Sequence, residues 1–133
     1  MSYDRTVQLR STFEEAVAAT RAALAEQGFG VLAEIDVQAT LKAKLDHDME
    51  PYLILGACNP PLARRALDAD RSIGLLLPCN VVVRGDGGGQ VVVQAIDPGT
   101  MVTLTGLGAM EPVAEEAAQR LDAALAALTA GQA

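Results

Sequence analysis

Two short words repeat in this chain, Cys58-Asn59 and Cys79-Asn80, and they hold the only two cysteines and the only two asparagines among its 133 residues. A thiol, once ionised, is a nucleophile, a redox centre or a soft metal ligand. The carboxamide beside it both donates and accepts hydrogen bonds and so orients whatever the sulfur holds. In both words the pair stands where an apolar run meets a proline, at Leu53-Ile54-Leu55-Gly56-Ala57 before Pro60 and at Leu76-Leu77-Pro78 before Cys79. Both pairs are therefore expected at strand ends, which is where a site would be built.

Cys58 is the more telling of the two. Asn59 suits the N-cap of a helix and Pro60 its first turn, so the Cys58 thiol should lie beside unpaired helical N–H groups at the positive end of a dipole. That setting lowers a thiol's pKa and makes Cys58 the candidate catalytic residue. Asn80 has no helix behind it to cap, so its amide is expected on loop backbone or on a bound group. Glu34 stands alone as a carboxylate in the apolar run Val31-Leu32-Ala33-Glu34-Ile35, either facing solvent or buried as the partner of a thiol or a cation. The plainer reading is that both cysteines are small buried apolar residues, and free cysteine is often just that. His47, between Asp46 and Asp48, reads as a surface residue.

The elements that must position these residues follow from periodicity. Tyr3 to Leu9 alternates as a first strand. Ser11-Thr12-Phe13-Glu14 has the capping-box pattern, and Phe13, Val17, Thr20 and Leu24 recur at helical spacing, predicting a helix over 12–27 closed by Gly28. Phe29–Ile35 reads as a second strand and Asp36 as the cap of a short helix through Val37, Leu41 and Leu45. Tyr52–Leu55 forms a third strand, and Leu62, Ala63, Ala66 and Leu67 the buried side of a helix ending near Asp70. Val81–Val83 and Val91–Ile96 form a hairpin around Gly85-Asp86-Gly87-Gly88-Gly89. That glycine run has no lysine-serine/threonine ending and opens no helix, so it is a hairpin tip and not a phosphate cradle. A last helix starts at Glu111-Pro112 and carries Val113, Ala117, Leu121, Leu125 and Leu128 on one stripe.

This order predicts one α+β domain over 1–133, a two-layer sandwich. A mainly antiparallel sheet of about five strands carries two long helices packed together on one face. If the third and fourth strands are neighbours, either an antiparallel or a parallel pairing brings Cys58 and Cys79 to one rim.

Composition removes several functions. A net charge of −7 with no cluster of Lys or Arg argues against nucleic-acid binding. The longest apolar run, Ile73–Val83, is too short to span a bilayer and is broken by Pro78. The N-terminus has neither a basic leader nor an apolar segment. A cytoplasmic protein with reduced thiols is expected. Aromatic residues are scarce, so the core must be Ala, Val, Leu and Ile, and pairing of subunits would add burial. One subunit supplies too few soft ligands for a closed zinc site.

Over nearly its whole length the chain resembles the bacterial and archaeal family called domain of unknown function 302. The resemblance is carried by Gly28-Phe29-Gly30-Val31-Leu32, Glu34-Ile35-Asp36-Val37, Leu55-Gly56-Ala57-Cys58-Asn59-Pro60, Leu76-Leu77-Pro78-Cys79-Asn80-Val81-Val82-Val83, and Asp97-Pro98 with Met101. It implies a TATA-binding-protein-like strand–helix–four-strand–helix sandwich and a dimer. It supports Cys58, Asn59, Cys79, Asn80 and Glu34 as ligand-binding residues without naming a reaction, cofactor or metal. Three readings follow. The first is a homodimer whose Cys-Asn rim holds a ligand-binding or redox-sensing pocket for a small molecule or metal ion. The second is a thiol-dependent enzyme with Cys58 as nucleophile, and the third a dimerisation module with inert cysteines.

Overall fold

The structure is a computed structural model and describes residues 3–132. Five antiparallel strands form one sheet, β1 (Asp4–Leu9), β2 (Gly30–Asp36), β3 (Tyr52–Cys58), β4 (Cys79–Gly85) and β5 (Val91–Ile96), in the order β1-β5-β4-β3-β2. Helices α1 (Phe13–Glu26), α2 (Val37–Leu45) and α3 (Pro60–Ala69) connect the first four strands, and α4 (Gly99–Thr105) and α5 (Glu111–Ala130) follow β5. The predicted α+β two-layer architecture is present, with α1 and α5 in contact with each other against the sheet.

Local chemistry explains most boundaries. The capping box that opens α1 uses Thr12 and Glu15 rather than Ser11 and Glu14. The Thr12 hydroxyl accepts from the Glu15 N–H at 3.1 Å, and Glu15 Oε1 accepts from the Thr12 N–H at 3.3 Å. One residue decides this, because the cap must stand just before the first apolar position, Phe13. Gly28 then adopts a φ of +82°, the left-handed value a helix end of this kind requires. Asp36 caps α2 by accepting from the Ala39 N–H at 2.8 Å. The apolar approach from Ile73 to Leu77 turns out to be a 3-10 helix over Arg71–Leu76.

Strand alternation assigns the faces. In β3, Leu53, Leu55 and Ala57 are buried. In β4, Val81 and Val83 are buried, and Val91, Val93 and Ala95 continue that face in β5. Period-two alternation sends all of these toward α1 and α5, where Ala16, Ala23, Leu24, Leu121, Ala124, Leu125 and Leu128 complete one core. A second core lies at the far end of the α3–α5 layer and contains Leu62, Ala66, Ile73, Met101, Met110, Val113, Ala114 and Ala117. The candidate site sits at the seam between these two cores.

Candidate functional site

β3 and β4 pair antiparallel, which fixes the relation of the two thiols. Cys79 is the partner of Ala57, and Asn80 is the partner of Gly56. Cys79 therefore shares the helix-facing side with Ala57, Val81 and Val83, while Asn80 points the other way and is exposed. Cys58 comes one residue after Ala57, at the alternate position of the pleat, where it pairs with Gly30 of β2. The expectation that both sulfurs would be close neighbours at one rim is corrected here: they share an end of the sheet, but the register keeps them from forming a pair. Both cysteines are free.

What they do share is a cavity of about 350 Å³. Ala57, Cys58 and Cys79 form its sheet end, Asn59, Leu62, Ala63 and Ala66 its α3 wall, Met101 of α4, Val113 and Ala117 the far side, and Leu77 and Pro78 a further wall. Phe29 and Leu32 close the β2 side. Leu32 reaches this position because the β2–β3 register slips there: Val31 pairs with Ala57 and Ala33 with Gly56, which leaves Leu32 as the extra residue of a bulge. It is 73% exposed at the cavity's edge. Of the sixteen lining residues none is charged.

Burial and, to a lesser extent, the neighbouring Cys58 push the Cys79 thiol up from an ordinary 9.0 to about 11, so at neutral pH it is a protonated, uncharged group. The expected activation of Cys58 by free helical N–H groups meets a different local structure. The first two helical residues of α3, Pro60 and Pro61, have no N–H. The Leu62 N–H is taken by Asn59 Oδ1 at 3.3 Å, and the Ala63 N–H by the Asn59 carbonyl at 2.9 Å. This helix start has no spare donor in its first four residues.

Asn59 is 8% exposed and works mainly as that cap. Its Nδ2 also lies 3.5 Å from the Gln27 carbonyl at the end of α1, which accepts from Arg120 at 3.2 Å as well. Arg120 and Arg65 are both held by Glu116, each at 3.1 Å, and these two cations draw the Glu116 carboxyl below its usual range. No local pattern marks this Gln27–Asn59–Arg120 cluster, because its members lie on three separate elements. The cavity walls were equally hard to see, since Leu62, Ala66 and Val113 read simply as core.

Two further expected site residues lie elsewhere. Glu34 forms an ion pair with Arg21 of α1, both side chains substantially exposed, and does not line the cavity. Asn80 lines a separate uncharged groove on the outer side of the sheet with Tyr3, Leu75, Ile96, Thr100 and Leu104. Leu77 and Pro78 line both the groove and the cavity and so form the wall between them. Among the described residues, no cluster of three or more His, Cys, Asp or Glu side chains is arranged to hold a metal ion, and no helix is long and apolar enough to cross a membrane.

The family model described as "Domain of unknown function DUF302" matches residues 5–128. The chain is also similar to an uncharacterized conserved protein DUF302 from Bacillus stearothermophilus, seen in a crystal structure. The two superpose with a TM-score of 0.89 at 28% sequence identity, over 96% of this chain and 99% of the other. No curated protein matches the chain.

Proposed function

The chain belongs to the DUF302 family, and from that premise we propose that it is a small-molecule binding protein whose ligand occupies the cavity between the β3–β4 sheet end and α3. The observation that carries this reading is the cavity itself. Its volume of about 350 Å³ falls within the range of ligand pockets, and it is bounded by strands β2, β3 and β4, by helices α3, α4 and α5, and by both cysteines. Binding is favoured over thiol chemistry. Cys79 is held protonated, and the helix start beside Cys58 has two prolines in place of donors. A thiolate at Cys79 would need support that its burial withholds. In this reading the two cysteines contribute soft, weakly polar surface to the ligand.

The test is titration with a neutral, polarity-sensitive dye of naphthalene size. Ala63 lines the cavity and is only half-buried, so Ala63→Phe places a ring into the space without opening the core. The dye should brighten on the native protein and respond at least about tenfold more weakly on Ala63→Phe. An equal response from both proteins would refute the cavity as the binding site.

The same proposal includes a cytoplasmic homodimer. Leu75 is 88%, Leu104 69% and Tyr3 66% exposed, and all three line the uncharged groove outside Asn80. Two copies that each carry −7 would meet there without opposing like charges at the contact.

A further inference from the structure

Resting on the reading of this cavity as a binding site, we infer that its ligand is an electrically neutral, largely apolar molecule of about 10–15 non-hydrogen atoms. The size follows from comparison with apolar cavities of about 150 Å³ that hold one benzene, against about 350 Å³ here.

The neutrality has two independent structural grounds. First, no lining residue is charged. Of the basic groups around α3, Arg65 and Arg120 are bound to Glu116, and Arg120 also to the Gln27 carbonyl, while Arg64 is turned to solvent and pairs with Asp68 at 3.9 Å. An ionised ligand would leave water and find no counter-charge among the lining residues.

Second, a helix begins at the cavity wall, and helix starts are ordinarily anion sites because their first N–H groups are unpaired. In α3 the groups of the first turn are absent or taken. Pro60 and Pro61 have none, the Asn59 side chain takes that of Leu62, and the Ala63 N–H makes the ordinary first helical bond to the Asn59 carbonyl. The helix start at the cavity wall thus has no spare N–H from Pro60 to Ala63 to offer a carboxylate or phosphate. The rise of the Cys79 thiol to about 11 reports the same environment, since burial there disfavours a negative charge. The thiols and the Met101 thioether leave the ligand soft, polarisable contacts rather than strong hydrogen bonds.

The experiment compares three probes of one shape, naphthalenemethanol, naphthoate and naphthylmethylammonium, by equilibrium dialysis against the native protein and against Ala63→Phe at neutral pH. The neutral alcohol should bind the native protein at least about tenfold more tightly than either ion, and Ala63→Phe should abolish the difference. Naphthoate or the ammonium binding as tightly as the alcohol, with both lost in Ala63→Phe, would overturn the neutrality of the ligand and leave the cavity as a site. Failure of all three to bind the native protein would overturn the site and this inference together.

Discussion

Cys79 faces Ala57 across the β3–β4 ladder, and Cys58 stands one pleat position further on. This single step of register separates two thiols that look like a matched set in the sequence. It turns the half-buried Cys79 thiol toward the α1–α5 layer and sends its following asparagine to the opposite surface. The cavity inherits the first half of each word and the cap from Asn59, while Asn80 belongs to another face of the molecule.

The first prediction concerns alkaline pH. The Cys79 thiol has an ordinary value of 9.0 and about 11 when folded, so the unfolded chain loses this proton first as pH rises. Its contribution is fully present below pH 9.0 and is lost progressively between 9.0 and about 11. Denaturant unfolding of native protein should show this decline, and Cys79→Ala should flatten it. An unchanged slope in the variant would assign the decline to other groups.

Asn59 is expected to act through stability. Asn59→Ala removes the bond to the Leu62 N–H and the contact with the Gln27 carbonyl, at a cost of about 1–2 kcal/mol. Asn59→Asp keeps an acceptor for Leu62 and should recover most of the loss. If aspartate is no better than alanine in urea unfolding, the cap is not what Asn59 supplies.

Gly56 has no room for a side chain. A Cβ there would stand 2.9 Å from Pro78 Cγ and 3.4 Å from Ala33 Cβ, and Pro78 is part of the cavity wall. Gly56→Ala should lower stability by about 1–3 kcal/mol and weaken binding of a neutral probe, as Pro78 is forced outward. A variant with native stability and native binding would contradict this packing.

Glu34 supplies the contrasting case. Its partner Arg21 and its exposure predict that Glu34→Gln changes stability by less than about 1 kcal/mol and leaves probe binding unaltered. A marked loss of binding would restore Glu34 to the site.

Association is tested on the outer groove. Sedimentation velocity should find the native protein as a dimer and the double variant Leu75→Glu, Leu104→Glu as a monomer, because both leucines are largely exposed and line that groove. A native protein that sediments as a monomer at all concentrations would remove the dimer from the proposal.

Much of the fold was legible in the sequence because local signals and burial agree. The Asn59-Pro60 cap, the stripe from Val113 to Leu128, the Gly85–Gly89 hairpin tip and the Val91–Ile96 strand all stand where the pattern predicted them. The site was legible only in part. Cys58 and Cys79 do border one cavity, but their relation depends on a strand register that two sequence-distant segments set together. The bulge at Leu32 and the clustering of Gln27, Asn59 and Arg120 are likewise products of tertiary packing. The same word, Cys-Asn, therefore means different things in its two places, since a helix follows the first and a strand continues through the second.

In the proposed reading, a small neutral molecule enters the space between the sheet end and α3. Backbone amide spectra recorded during titration with naphthalenemethanol test it most directly. Saturable shifts should concentrate at Ala57, Cys58, Leu62, Ala63, Cys79 and Val113, with the outer groove around Leu104 unmoved. Shifts confined to the groove, or a spectrum unchanged at saturating probe, would contradict it.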